Sequence, residues 1–293
     1  MQNEIRRKIT KGLKDSPVNI VSVVLFGSSV KGEYTEDSDI DLLVIANNIP
    51  QKRNKRHKEI IAIKKKLYSL GISFDILLLN ADECISNFKN HNPLFLDITD
   101  EGVVIVDNKN FITTLIDETK EYIKNKKIKK VENGWIFPVT ERIPSMLSRV
   151  SNKDFAMAML NDGKRDFEIG KKIAESGYYD KAIYHFQQSI EKAVKATLIC
   201  FGIFKKTHFI GEVLLKELED KEIDTEWGGK LIKISNISME IEPEMTWSRY
   251  PGIDNDTLWI PYEEYTKVDA LGFKEKCETV IKIVQDFIFW WFK

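Results

Sequence analysis

Two carboxylates at alternating positions, Asp39 and Asp41, follow a Gly27-Ser28-Ser29 turn in the stretch LFGSSVKGEYTEDSDIDLLVI, residues 25–45. In an extended strand, residues two apart project to the same side. Asp39 and Asp41 are therefore expected to converge on one spot, with Ile40 and Leu42 on the opposite, apolar side. Two carboxylates held that close repel each other unless a cation joins them. A hard divalent ion with oxygen ligands, Mg²⁺ above all, meets that need. A Gly-Ser turn that leaves a strand and opens a helix offers backbone N–H groups to a phosphate. A metal site beside a phosphate site implies phosphoryl or nucleotidyl transfer. Each half alone is weak, because Asp-x-Asp commonly marks a solvated strand end and Gly-Ser commonly a plain turn. Their combination is more specific. Apolar, β-branched runs at 18–26 and 40–45 supply the strands, with Gly32 and Ser38 between them.

A third carboxylate, Asp75, interrupts the apolar run 72–79. A lone Asp in such a strand is costly to bury without a partner. It is either a strand-edge residue paired with a Lys, or a metal ligand or general base.

Residues 20–110 resemble the minimal nucleotidyltransferase (MNT) domain of the DNA polymerase β superfamily. That family carries a Gly-Ser turn, an Asp-x-Asp on the next strand and a third Asp on a later strand. The resemblance implies Asp39, Asp41 and Asp75 as catalytic metal ligands, and Gly27, Ser28 and Lys31 as contacts to a nucleotide. It further implies two Mg²⁺ ions, with ATP or another NTP as donor. One position departs from the pattern. The family often has Arg two and four residues after the Gly, and here Ser29 and Lys31 stand there. Lys31 meets a phosphate as a point charge, without the bidentate geometry of Arg.

The elements that must position these residues can be read from periodicity. Ile5, Ile9 and Leu13 recur every four residues and predict a first helix, which Pro17 ends. A helix is expected at 58–70 with Gly71 as its stop, a strand around Asp75, a short helix opened by Asp82 and Glu83, a strand at 102–107 and a helix at 111–123. The expected fold of this half is α+β, a small mixed sheet with helices against it. Composition shifts between Lys124 and Pro144, which places a domain junction near residue 145, giving domains 1–145 and 146–293. Trp135 and Phe137 are expected to be exposed there, wedged between the domains.

After residue 150 the strand signals vanish. Helices are expected at 152–175, 179–201, 209–219, 229–240 and 263–292, an all-α helical bundle. Residues 160–220 resemble HEPN domains. The resemblance rests on Leu160-Asn161-Asp162-Gly163, the run from Gly177 to Ala182, the run from Gln187 to Ala196, Lys206-Thr207-His208, and Arg249-Tyr250-Pro251. HEPN domains accompany MNT domains as partners or fusions, and the kanamycin nucleotidyltransferase type of enzyme has this two-part plan. HEPN ribonucleases use an Arg followed four to six residues later by His. Neither His185 nor His208 has an Arg at that spacing, which weighs against RNA cleavage. His208 reads instead as a helix-start or inter-helix hydrogen-bonding residue. Glu168 and Glu191 lie on helices that face a site in some arrangements, but no motif selects them.

The 293 residues suffice for two cores. A net charge of −1 argues against a generic nucleic-acid binder. The stretch 52–66 is rich in Lys and Arg. It reads as a solvated helix face in preference to a steering patch, since no aromatics interleave for base stacking. The acidic run 212–226 is either an attractor for a cationic substrate or plain surface. Three widely spaced cysteines and four histidines show no disulfide or zinc pattern, and no run is long enough to span a membrane. The terminal aromatics 287–292 are expected to pack in a core or subunit interface. The expectation is a cytoplasmic homodimer that takes an NTP and an unidentified acceptor, a small molecule or protein hydroxyl in preference to RNA. The alternative is a nucleotide-binding, antitoxin-like assembly module without turnover.

Overall fold

In the computed structural model, which describes residues 2–14, 16–31, 39–68, 72–254 and 256–293, side chains are defined from Arg6 onward, Lys31 excepted. The chain divides into two compact units after Lys127. The first unit runs α1 (Gln2–Leu13), β1 (Asn19–Phe26), α2 (Ser28–Lys31), β2 (Ile40–Asn47), α3 (His57–Leu67), β3 (Phe74–Leu79), α4 (Ala81–Lys89), α5 (Pro93–Glu101), β4 (Val103–Asp107) and α6 (Phe111–Lys126).

Its strands form one mixed sheet in the order β3-β2-β1-β4. Strand β1 is antiparallel to β2 and β4, while β2 and β3 run parallel. The parallel pair requires a crossover, which α3 provides. Alternation along the strands splits the core into two layers. Val23, Leu25, Ile40, Leu42, Phe74 and Ile76 face Ile9 and Leu13 of α1 and Ile63 and Leu67 of α3. Val24, Leu43, Ile45 and Leu79 face Phe88 of α4, Phe95 and Ile98 of α5, and Ile112 and Ile116 of α6. Helix α5, opened by Asn92 and Pro93, has no counterpart among the elements expected from sequence.

The second unit contains β5 (Lys129–Val131), β6 (Gly134–Ile136), α7 (Asn152–Glu175), α8 (Tyr179–Cys200), β7 (Ile203–Lys205), α9 (Gly211–Glu219), α10 (Thr225–Ile241), α11 (Glu244–Trp247), β8 (Gly252–Asp254), β9 (Thr257–Trp259), α12 (Pro261–Glu264) and α13 (Lys267–Trp291). It is mostly helical. Phe186, Ile190 and Val194 of α8 and Val280, Val284 and Phe287 of α13 share one core with Leu160 of α7. Capping boxes at Ser151/Asp154 and Thr266/Asp269 fix the starts of α7 and α13.

Strands do occur in this unit. A small sheet β5-β6-β7 and a hairpin β8-β9 are three residues per strand, too short for a period-2 signal. The pairing of β6 with β7 ties residues 129–136 to the helical unit, so the contacts divide the chain ahead of residue 145. Trp135 and Phe137 are not exposed. They are 1% and 4% accessible, because β6 inserts between β5 and β7 and the Phe137 ring stacks edge-on to Phe204 at 5.3 Å. Of the terminal aromatics, Phe287, Trp291 and Phe292 are core and Phe289 is exposed. Among the described residues, no helix is long and apolar enough to cross a membrane.

Candidate active site

The first strand ends at Phe26, and Gly27 turns the chain into α2 with φ +78°, a left-handed conformation that glycine adopts without strain. Val30 N–H donates to the Gly27 carbonyl at 3.2 Å, and Ser29 Oγ donates to the Phe26 carbonyl at 3.0 Å. Ser29 thus pins the turn from inside. Phe26 pairs with Asp41 across β1 and β2, which sets the Asp41 carboxylate directly over Gly27. A Cβ on Gly27 would collide with Asp41 Oδ2. The glycine is needed here twice, for its backbone angle and for the space that the carboxylate fills.

On the other side of β2, the parallel register places Asp41 opposite Asp75 of β3. Neighbouring strands lie about 4.8 Å apart, so the two side chains emerge next to each other. Both share the sheet face of Leu43, Ile45, Leu77 and Leu79. Asp75 is exposed, Asp41 is half-buried, and Asp39 is exposed just before β2 begins. The structure therefore brings Gly27, Asp41 and Asp75 together at one end of the sheet, with Asp39 two residues before Asp41, ahead of the first residue of β2. Lys31 ends α2; its side chain, together with Gly32, Ser38 and Gly71, lies outside the described residues.

Three carboxylates beside a turn of backbone donors suit a hard, oxygen-seeking cation and a phosphate. The Asp41 carboxylate, seated over the Gly27 turn and in register with Asp75, is the structural feature that fits this use. As placed, no three His, Cys, Asp or Glu side chains among the described residues close into a metal cage.

The opposite end of the sheet is tied together by one buried side chain. Arg56 is 1% accessible and its guanidinium donates to the carbonyls of Pro50, Gln51 and Leu78 at 2.7, 2.8 and 3.0 Å. It also pairs with both Glu83 oxygens, at 2.6 and 3.1 Å. Glu83 in turn closes the capping box of α4 with Asn80. This one residue joins the β2–α3 connection to the ends of β3 and α4. Burial pushes the Glu83 carboxyl up, but hydrogen bonds from Arg56 and the Asn80 N–H outweigh it and hold the group below its ordinary value. Arg56 sits inside the basic stretch that reads as a solvated face, and nothing in its neighbours marks it as interior. Asp107 at the end of β4 accepts from Ser22 Oγ, from the N–H groups of Ile112 and Thr113, and from Thr113 Oγ1. It caps the start of α6. Burial pushes its pKa up, but these donors together outweigh burial and hold the group below its ordinary value.

In the helical unit, His208 Nδ1 lies 3.1 Å from both oxygens of buried Glu191, which also meets Lys195 at 2.8 Å. Glu191 thereby binds the loop before α9 to α8. Glu168 pairs with Lys171 at 2.7 Å on the surface. His185 meets Asp166 at 3.2 Å.

Residues 6–134 match the nucleotidyltransferase domain family and residues 156–292 the HEPN domain family. A candidate toxin of Methanocaldococcus jannaschii, MJ1304, is 32% identical over 137 residues, which are 47% of this chain and 90% of that protein. This chain belongs to both families, nucleotidyltransferase and HEPN. A candidate protein adenylyltransferase of the same organism, MJ1305, is 36% identical over 107 residues, 36% of this chain and 71% of its own length. Among solved structures, the spectinomycin adenyltransferase AAD(9) from Enterococcus faecialis, with ATP and spectinomycin, matches at 10% identity and TM-score 0.36. That match covers 94% of this chain and 97% of that one. This nucleotidyltransferase–HEPN chain is thus a nucleotidyltransferase by family, with its Gly-Ser turn and carboxylates in the nucleotidyltransferase half.

Proposed function

We propose that the chain transfers NMP from an NTP, with ATP the favoured donor, to an acceptor hydroxyl. The observation that carries the reading is the register pairing of Asp41 with Asp75, with Asp41 seated over Gly27. In this reading the N–H groups of the Gly27-Ser28 turn receive the β- and γ-phosphates. Asp39, Asp41 and Asp75 would hold two Mg²⁺ ions. When bound, these ions neutralise the phosphates and lower the barrier to ionising the acceptor hydroxyl. Asp75 takes the hydroxyl proton. The hydroxyl oxygen bonds to the α-phosphorus in line as the bond to the β-phosphate bridging oxygen breaks, and pyrophosphate leaves. Positioning and charge neutralisation supply most of the rate.

Relatives named as protein adenylyltransferases support ATP as donor and a protein hydroxyl as acceptor. The chain is proposed to work as a cytoplasmic homodimer, with its helical unit contributing to acceptor binding. A second reading is favoured by the toxin-named relative: a nucleotide-binding, antitoxin-like module that assembles without turnover. The test is to incubate the protein with each of four α-labelled NTPs and Mg²⁺, offering itself, cell extract and bulk RNA as acceptors. Label on a protein from ATP supports the proposal. Mg²⁺-dependent ATP binding with no label on any acceptor supports the module instead.

A further inference from the structure

The sheet face opposite the carboxylates carries a concentrated positive surface. A groove of about 1040 Å³ runs between α1 and the strands β1 and β4. Arg6, Arg7, Lys11 and Lys14 line it, together with Thr10, Ser16, Asn19 and Asn108. The four cations are exposed, and none has an ion-pair partner among the described residues. Helix α1 crosses α3 where Gly12 meets the Lys66 carbonyl; a Cβ there would stand 3.2 Å from that oxygen. Close approach at this crossing carries the field onto α3, whose Lys58, Lys64, Lys65 and Lys66 are exposed as well. Glu59 of α3 is turned inward, with one carboxylate oxygen buried.

This surface is not placed for the donor nucleotide. Helices α1 and α3 cover the face of Ile40, Leu42 and Ile76, whereas Asp41 and Asp75 project from the other face. Like charges on two adjacent helices repel mildly and attract anions, so an anionic partner complements this surface. The lining selects its class. Arg and Lys interspersed with Ser, Thr and Asn are the groups that contact phosphodiester backbones. At about 1040 Å³ the groove is too large for one phosphate, and no aromatic residue lines it, so there is no platform for stacking single-stranded bases.

We propose that the α1–α3 surface docks the backbone of a nucleic-acid duplex, without regard to sequence. The overall charge of −1 averages this face with the acidic remainder of the chain and conceals it. The proposal stands apart from the nucleotidyl-transfer reading and does not depend on it.

The test is fluorescence anisotropy of the full chain with labelled 20-base-pair RNA and DNA duplexes, each of two unrelated sequences, across a salt series. Anionic vesicles of phosphatidylglycerol and phosphatidylcholine serve as a further probe. Charge reversal at Arg7→Glu/Lys11→Glu/Lys65→Glu is compared with reversal of a basic cluster elsewhere, Lys124→Glu/Lys126→Glu, and thermal melts establish that both variants fold. The expected result is binding to duplexes irrespective of sequence, with log K falling against log salt at a slope of about −0.9 per phosphate contacted. The α1–α3 variant should lose at least tenfold in affinity and show a shallower slope, and the control variant should keep both. Preference for RNA over DNA would refine the partner within this class. Equal loss in both variants, no loss in either, or binding to vesicles but to neither duplex would overturn the proposal.

Discussion

At the scale of single residues, the account turns on Gly27 and the carboxylate that it admits. Gly27→Ala forces a side chain into a left-handed backbone and into Asp41 Oδ2. The backbone alone costs about 1–3 kcal/mol. The expected outcome is a modest loss of stability in urea unfolding and a disproportionate loss of transfer, because the displaced group is the proposed metal ligand. Asp75→Asn keeps shape while removing charge and basicity. It is expected to lower kcat by about a hundredfold or more, with little change in melting temperature, and steady-state kinetics at saturating ATP measure it. The spacing of Asp39, Asp41 and the lone Asp75 was legible in the sequence because side-chain alternation in a strand is local. The fit of Asp41 over Gly27 was not, since it depends on how β1 and β2 register. Nor was the face-to-face placement of Asp41 and Asp75, which the register of β2 on β3 decides.

At the scale of elements, Arg56 and Glu83 hold the far ends of β2, β3 and α4 to one another. Arg56→Met strands three carbonyl acceptors and a carboxylate, and is expected to cost about 3 kcal/mol, read as a lower urea midpoint. The pH dependence has a definite sign. Glu83 has a depressed pKa in the folded state, so its contribution is full above the ordinary glutamate value of 4.5. It is lost as pH falls through the lower folded value. Wild-type stability should therefore drop below about pH 4.5, and the Arg56→Met variant should show a flatter profile there, checked by urea unfolding between pH 6 and 3. Helix periods gave α7 and α8 nearly to the residue, because each buries one long apolar stripe, whereas α13 starts later than expected, at Lys267, where the Thr266/Asp269 capping box sets it. The three-residue strands β5 to β9 left no pattern, since pairing with distant partners and not their own composition makes them strands.

At the scale of the whole molecule, two cores of different class lie in sequence, and family membership assigns nucleotidyl transfer to the first. The class of each half was legible because short, β-branched apolar runs alternate with helices in one and helical stripes fill the other. The burial of Trp135 and Phe137 was missed because a proline- and glycine-punctuated stretch resembles a linker until β7 is known to pair with it. If the carboxylate cluster works through a divalent cation, chelation with EDTA should abolish transfer while leaving circular dichroism unchanged, and added Mg²⁺ should restore it. The most direct test of the account compares wild type with Asp41→Asn for label transfer from α-labelled ATP across a Mg²⁺ titration. Transfer that saturates with Mg²⁺ in the wild type, and falls by at least about a hundredfold in a variant that melts normally, is the expected result. Asp41→Asn transferring at the wild-type rate would contradict it.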